Sequence, residues 1–347
     1  MAEINLTDAL GTKRITWLDT TRGLAFLGVI YVHIHLFDSN RVMDFMNPYF
    51  LTMFFFVSGY LFKSGKSFGS VFEQRTRTLF IPQFLFGLYT IGLQQIHTTQ
   101  SDVLPFWEYI MQLFWHCTER TGGHHGLWFV AALYAFSLVF YWLRRWCKDY
   151  RVLLGLCGVL FVLNCIYAYY IKGPHLPWYL HEVGFGCFYM ALGVAYKESW
   201  EKVLNKWSNK SKFAILALLY IAGIYLYGRS FSYSGSPIII DAILITLLGI
   251  YICTYGCKYW LHKSKFLNYV GSNTLLYFGF HHKILVVITA LFAKFYTMGG
   301  AHSPLTDECF HWLDTFIIAL LIIIPTYIVN RWLPWVTGKG FKLWKTK

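Results

Sequence analysis

Three side chains in the first apolar stretch of the sequence could take part in acid–base or anion-binding chemistry. Asp19, Arg22 and His33 lie in TWLDTTRGLAFLGVIYVHIHLF, where most other residues are apolar. In an α-helix, the eleven-residue step from Arg22 to His33 covers three turns plus about 20°, so both side chains face the same way, about 16 Å apart along the axis. Asp19 precedes Arg22 by three residues and can pair with it. The spacing predicts a polar stripe with a cation at one end and an imidazole at the other.

This stripe allows two interpretations. In the first, a neutral His33 imidazole accepts a proton near pH 7, while Arg22, held by Asp19, contacts an anionic group entering from the cytosol. The separation suits a long thin substrate such as the pantetheine arm of coenzyme A. In the second, Arg22 reaches lipid headgroups and His33 hydrogen-bonds a neighbouring helix. The spacing alone leaves both open.

A second polar group lies in NYVGSNTLLYFGFHHKIL, at 268–285. Asn273, Tyr277 and His281 occupy positions i, i+4 and i+8, and therefore one face of a helix. We expect this face to point into a helical bundle. The three side chains either bind substrate or only form hydrogen bonds between helices.

Further candidates lie near the ends of the apolar segments. Ser58, in FFFVSGYLF, either contacts the acyl donor or permits close helix packing. His125 and Trp128, in GGHHGLWF, could line a site at the outer mouth of the fourth segment. Glu182 and Asp241 either bind sugar hydroxyls or are solvated helix ends.

Two arginines and two cysteines complete the candidates. Arg75 and Arg77 precede LFIP. They either cradle phosphates of coenzyme A by bidentate contacts or are ordinary basic residues flanking a membrane span. Cys117 and Cys309 are both predicted to face outward, where a disulfide could form. No recognised zinc-ligand spacing occurs, and we expect no metal.

The composition indicates where these residues must be placed. Of the 347 residues, 56% are hydrophobic, 20% aromatic and 14% charged, whereas soluble domains have about 25% charged residues. A soluble enzyme, a disordered chain and a secreted disulfide scaffold are therefore excluded, which leaves a polytopic membrane protein. No segment alternates with period two, so we expect an all-α fold. About ten apolar segments are predicted transmembrane helices: 17–36, 49–62, 79–96, 127–143, 152–171, 179–196, 213–228, 238–257, 268–292 and 311–330.

The distribution of basic residues predicts the orientation. With the N-terminus in the cytoplasm, 23 of the 30 Lys and Arg residues lie on the cytoplasmic side and five on the outer side, as expected from the excess of positive charge in cytoplasmic loops. Both termini are then cytoplasmic, and 1–347 forms one domain with short tails, 1–16 and 331–347. The net charge of +13 needs no nucleic-acid partner to explain it and remains available to an anionic cytosolic ligand or to membrane lipids.

Five motifs in this order resemble those of acyltransferase family 3, a family of integral membrane O-acyltransferases that includes fucose 4-O-acetylase-like enzymes and surface-polysaccharide O-acetyltransferases. The motifs are WLDTTRGLAFLGVIYVH (17–33), FFFVSGYLF (54–62), RTRTLFIP (75–82), GLWFVAALY (126–134) and VGSNTLLYFGFHH (270–282).

The resemblance implies the activity and part of the site. It implies transfer of acetyl from cytosolic acetyl-CoA to a carbohydrate hydroxyl in a bacterial cytoplasmic membrane. The catalytic His of the family falls on His33, its partner Arg on Arg22, and its basic pair on Arg75 and Arg77. Members often have two residues between the paired arginines, where this chain has one, and many have His where Gly126 stands.

We therefore expect an acetyl-CoA-dependent O-acetyltransferase with His33 as general base, acting on a sugar that is free, lipid-linked or polymeric. A covalent acetyl-histidine route is equally compatible with the residues. The alternatives are a transporter or flippase of polysaccharide intermediates, and the same reaction with another donor such as succinyl-CoA. The acceptor sugar and the oligomeric state stay open.

Overall fold

The chain folds as a bundle of helices. The computed structural model describes residues 6–7, 13–34, 45–97, 105–116, 127–171, 176–227, 239–298, 303–341 and 343. Within these ranges the chain is helical apart from one antiparallel pairing of two short strands, Leu6–Thr7 and Lys13–Arg14. The helical class predicted from the sequence is confirmed.

The first half of the chain forms seven α-helices in the described part: α1 Thr16–His33, α2 Phe50–Tyr60, α3 Phe68–Arg75, α4 Ile81–His97, α5 Phe106–Met111, α6 Leu127–Trp146 and α7 Tyr150–Ile166. The second half forms α8 Val183–Ala195, α9 Glu201–Trp207, α10 Lys210–Tyr227, α11 Ile239–Gly256, α12 Lys265–Ser272, α13 Thr274–Met298, α14 Pro304–Leu321 and α15 Ile323–Trp332.

Tighter and wider turns extend several of these helices. Wider, π-helical turns are formed by Thr76–Phe80, Gln112–His116, Tyr167–Ile171, Tyr196–Trp200 and Cys257–Leu261. Short 3₁₀ helices are formed by Pro177–Glu182 and Pro334–Thr337. π-turns inside helices often occur at functional sites, and the turn Thr76–Phe80 directly follows Arg75.

Four helical stretches in the described part are long and apolar enough to cross a membrane: Leu127–Trp146, Ile243–Leu261, Thr274–Lys294 and Leu305–Trp332. They coincide with the fourth, eighth, ninth and tenth segments expected from the sequence. Phe50–Tyr60 and Tyr150–Ile166 are apolar but shorter. The total of ten spans stays a prediction.

One predicted segment, 268–292, consists of two helices. Asn273 has non-helical backbone angles, φ −119° and ψ 18°, between α12 and α13. Its side-chain Nδ2 donates to the carbonyl oxygen of Tyr269 at 2.9 Å. Asn side chains that bond nearby backbone groups compete with the helical ladder, which accounts for the break at this residue.

Helix α1 lies at the centre of the bundle and packs against α2, α12, α13 and α14. Its contact with α12 is unusually close because glycines from both helices meet there. A Cβ on Gly23 would overlap the carbonyl oxygen of Leu267, and a Cβ on Gly271 would overlap that of Asp19. Thr20 Oγ1 also donates across this contact, to Asn268 Oδ1 at 3.0 Å. The glycines therefore fix the part of α1 that carries Asp19 and Arg22.

A similar contact joins α2 to α8. A Cβ on Gly59 would overlap the carbonyl oxygen of Met190, and one on Gly193 would overlap that of Phe56. Small residues permit this approach of helix backbones in membrane proteins. Ser58, next to Gly59, is thus held beside a tightly packed helix pair.

Substituting Gly271 by Ala should destabilise the bundle, because the new methyl group would meet the backbone of α1 at Asp19. Overpacking of this kind costs about 1–3 kcal/mol, occasionally more. The unfolding midpoint of the detergent-purified protein measures the effect. Gly155→Ala is the matched control, since nothing lies within 4 Å of a Cβ there. Equal midpoints for the two variants would contradict the proposed close contact.

Candidate functional site

The predicted pair of Asp19 and Arg22 is present on α1. Arg22 Nη2 donates to Asp19 Oδ1 in an ion pair one turn apart on the helix. The Asp19 side chain is 7% exposed and that of Arg22 28% exposed. Nε of Arg22 is buried and has no hydrogen-bond partner among the described residues. The guanidinium is therefore held by Asp19 through Nη2, while its Nε–H is a hydrogen-bond donor without a partner among the described residues.

His33 is the last residue of α1 and is half-buried. Its Nδ1 lies 2.6 Å from the carbonyl oxygen of Val29. Because a carbonyl oxygen only accepts, Nδ1 of the neutral ring donates and Nε2 is left as the basic nitrogen. This tautomer is the one that a general base acting through Nε2 requires.

The end of α1 that carries His33 is fastened to α14. His311 Nε2 donates to the carbonyl oxygen of Tyr31 at 2.8 Å, and the Tyr31 hydroxyl donates to Glu308 Oε1. The rings of Tyr31 and His311 also lie 4.2 Å apart. These contacts restrict the movement of the turn that presents the His33 imidazole.

His281, on α13, meets His33. The two ring centroids lie 5.5 Å apart with an interplanar angle of 76°. His281 is fully buried, and its Nδ1 lies 3.1 Å from the carbonyl oxygens of both Tyr277 and Phe278. Nδ1 is therefore the donor, and the buried Nε2 has no partner among the described residues. The structure thus brings two imidazoles together, each with Nε2 as its acceptor nitrogen.

The other two members of the predicted face are engaged in bonds between helices. The Tyr277 hydroxyl donates to the carbonyl oxygen of Ala319 at 3.0 Å. Asn273 Oδ1 accepts from Asn330 Nδ2 at 2.8 Å. Of the two interpretations of this face, the structure gives these side chains an interhelical role, and substrate binding by Asn273 and Tyr277 stays a prediction.

A partly open cavity of about 370 Å³ lies beside α1, between α2, α3, α6 and α13. Four basic residues line it: Arg22, Lys63, Lys66 and Arg75. Ser58 lines it too, and its contact with the acyl donor stays a prediction. The close helix packing at this point is provided by its neighbour Gly59. No acidic side chain is among the described residues that line this cation-lined cavity.

Three cations, Lys63, Lys66 and Arg75, lie close together at the end of the cavity that is formed by α3 and the loop before it. Burial, followed by the neighbouring charges of Lys63 and Arg75, lowers the pKa of Lys66. Burial lowers the pKa of Arg75 to about 10, so it remains a cation at neutral pH. No carboxylate pairs with Arg75 among the described residues. Uncompensated positive charge at a concave surface favours binding of an anion.

Arg77 does not share this position. Its Nε pairs with Glu73 Oε1 at 2.9 Å, and its Nη1 donates to the carbonyl oxygen of Gly338. Glu73 Oε1 also accepts from the backbone N–H of Leu343 at 3.3 Å. Of the two predicted arginines, Arg75 lines the cavity and Arg77 holds the C-terminal segment.

Three phenylalanines separate the cavity from the histidines. Phe54, Phe129 and Phe278 line the cavity, whereas His33 and His281 do not. On its other side Phe278 contacts His281, with ring centroids 6.2 Å apart. We call these three phenylalanines the aromatic barrier.

Two predicted acceptor-site residues, Trp128 and Glu182, belong to elements that meet near the start of α6, where the Trp128 ring lies 5.9 Å from that of Phe129 in the aromatic barrier. Trp128 is half-buried, and its ring lies 4.7 Å from that of Tyr179. Tyr179 belongs to the 3₁₀ segment that ends at Glu182, and its ring stacks on His181 at 5.4 Å. Trp178 and Tyr179 both have positive φ, 59° and 56°, which is costly for aromatic residues and often accompanies a functional site. Trp128 and Glu182 thus flank one aromatic patch.

Some predicted residues fall outside what the structure describes. His125 and Cys117 lie outside the described residues, and the side chain of Asp241 in α11 is not described. Cys309 is exposed. Because its predicted partner Cys117 is not described, the disulfide between them stays a prediction. No group of three His, Cys, Asp or Glu suited to a metal occurs within the described ranges.

The site also contains residues that the sequence reasoning missed. The sequence gives Lys63 and Lys66 only as basic residues that flank a span. Their three-residue spacing directly after the second apolar segment is the signal that could have identified them. The aromatic barrier had no signal, because Phe is abundant throughout the chain, at 31 residues. Only the tertiary structure distinguishes these three rings.

Comparison with known proteins gives one match, which covers most of the chain. A family profile described as an acyltransferase domain matches residues 15–333, which include every described residue of the cavity, the barrier and the histidine pair. Neither a curated protein nor a solved structure matches the chain. With helices able to cross a membrane and a profile match over most of its length, this chain belongs to acyltransferase family 3, and it is a membrane acyltransferase.

Proposed function

We propose that this protein transfers an acetyl group from cytosolic acetyl-CoA to a hydroxyl of a cell-surface or lipid-linked carbohydrate. The observation that supports this most is the cation-lined cavity, which ends one aromatic layer away from two imidazoles with acceptor Nε2 atoms. Anion binding and a proton acceptor are the two capabilities that the reaction needs.

The basic end of the cavity fits the phosphates of coenzyme A. Lys63, Lys66 and Arg75 supply positive charge, and Arg guanidinium groups bind phosphate oxygens in bidentate fashion. Beyond them the cavity is lined mainly by apolar side chains of α2, α6 and α13, which suit the thin pantetheine arm. Arg22, with an unpartnered Nε, is placed to contact the arm or its phosphates.

His33 acts as the general base in this proposal. Its Nε2 takes the proton of the acceptor hydroxyl as the hydroxyl oxygen forms a bond to the acetyl carbon. The carbon–sulfur bond then breaks, and the thiolate of coenzyme A recovers the proton from His33. A route through acetyl-histidine at Nε2 uses the same atoms. His281, in ring contact with His33, positions the hydroxyl or the His33 ring.

The acceptor sugar approaches at the start of α6, next to the aromatic barrier. Trp128 and Tyr179 provide aromatic faces, and Glu182 is a hydrogen-bond acceptor for sugar hydroxyls; His125 and Asp241 complete the set expected from the sequence. In this proposal the chain has ten spans with both termini in the cytoplasm, in a bacterial cytoplasmic membrane, so the basic end of the cavity faces cytosolic acetyl-CoA. No nucleic acid or metal takes part.

Incubating the purified protein with labelled acetyl-CoA and candidate glycans tests the class of function. We expect label on the glycan, and mass spectrometry of surface glycans from a deletion strain should show loss of acetyl groups. A transporter of polysaccharide intermediates would transfer no label. If no label reaches any of the candidate glycans, the proposed acetyl transfer is refuted.

Replacing His33 by Gln should lower the acetyl-transfer rate by about 10²–10⁴-fold, because the general base is lost. Binding of coenzyme A should change little, since His33 does not line the cavity. His262→Gln is the matched control, as His262 lies in the turn before α12. Full activity of His33→Gln would remove the assigned base.

Replacing Arg75 by Gln should raise KM for acetyl-CoA about ten- to a hundredfold, the range expected for losing a hydrogen bond to a charged group. KM should also become less sensitive to ionic strength, because one charge is removed from the site. Arg77→Gln is the control two residues further along: it should affect the unfolding midpoint more than KM. Equal KM changes in both variants would contradict the division of roles between the arginines.

A further inference from the structure

The cation-lined cavity ends at three rings that contact one another. The ring centroids of Phe54 and Phe129 lie 5.4 Å apart, those of Phe54 and Phe278 5.5 Å, and those of Phe129 and Phe278 5.3 Å. The last pair is stacked, with an interplanar angle of 19°. All three residues are buried, with exposures of 6%, 1% and 5%. Three different helices therefore contribute rings to one aromatic cluster in the cavity wall.

Phe278 has the cavity on one side and the histidine pair on the other. It precedes His281 by three residues on α13, and their rings are in edge contact. Phe26 of α1 packs against both, with centroids 4.7 Å from Phe278 and 5.6 Å from His281. Phe278 therefore lines the cavity and also contacts the histidine pair, so an acyl group that moves from the cavity toward His33 meets this ring.

This placement bears on the size of the acyl group. A well-packed interior resists added volume, since each extra methylene forces side chains out of favourable rotamers. An enzyme pocket discriminates by about tenfold or more for one methylene. A charged group held against three phenyl rings would lose its hydration without gaining a partner.

We propose that the aromatic barrier restricts the donor to short, uncharged acyl groups, with Phe278 as the residue that sets the limit. This inference rests on the proposed acyl transfer from coenzyme A thioesters. It gives a structural reason for acetyl-CoA as the donor, with propionyl-CoA as a poor substitute, and it disfavours succinyl-CoA, which the sequence leaves open, as the natural donor.

The test compares kcat/KM for acetyl-, propionyl-, butyryl- and succinyl-CoA in the wild type, Phe278→Leu and Phe278→Ala. In the wild type we expect a decrease of about tenfold for each added methylene, and no measurable use of succinyl-CoA. In the Phe278 variants the ratio of butyryl-CoA to acetyl-CoA should rise at least about tenfold, more for Ala than for Leu.

Phe161→Leu is the matched control. Phe161 is a buried residue of α7, 4% exposed, whose ring lies 5.0 Å from that of Phe188 and which does not line the cavity. Phe161→Leu should lower the unfolding midpoint as much as Phe278→Leu does, and it should leave the ratios of kcat/KM among the four thioesters unchanged. If Phe278→Ala does not fold, Phe54→Leu and Phe129→Leu test the other two rings of the barrier.

Three outcomes would overturn the inference. One is a wild type that uses butyryl-CoA as well as acetyl-CoA, and another is efficient use of succinyl-CoA. The third is folded Phe278 variants whose donor ratios match those of the wild type and of Phe161→Leu. These results leave the proposed function intact, because acyl transfer is still observed. A wild type that transfers no acyl group from any of the thioesters would overturn both.

Discussion

The burial of charge in α1 is the constraint on which the rest of the structure depends. Taking a charged side chain out of water costs several kcal/mol even after relaxation, and removing one partner of a buried pair leaves the other uncompensated. Asp19 offsets part of this cost by pairing with Arg22. The cavity offsets another part, because it keeps the Arg22 guanidinium partly exposed. The glycine contacts at Gly23 and Gly271 then hold the pair at the cavity wall.

The aromatic barrier divides the interior into two environments that suit opposite steps of the proposed reaction. On the cavity side, basic side chains and solvent accommodate a highly charged donor. On the other side, His281 packs against Phe26 and Phe278 and contacts the ring of His33, and neither histidine lines the cavity. A dry surrounding strengthens electrostatic interactions and limits hydrolysis of a reactive acyl group.

The sequence predicted the residues that follow from periodicity and missed those that depend on tertiary packing. The eleven-residue step from Arg22 to His33 is a property of one helix, but the two side chains do not share the cavity: Arg22 lines it and His33 does not. The break at Asn273 was not visible, because the apolar pattern continues through it and a side-chain hydrogen bond ends the helix. The contact of His33 with His281 joins two helices distant in sequence, which no local pattern specifies.

Helical geometry explains why neighbouring arginines have different roles. At 100° per residue, side chains two residues apart lie about 200° apart around the axis, so Arg75 faces the cavity while Arg77 turns to Glu73. Family members with two residues between the arginines would have them only about 60° apart, on one side of the helix. With the wider spacing, a second arginine would add positive charge to the cavity. In this chain Lys63 and Lys66, in the loop before α3, supply that charge instead.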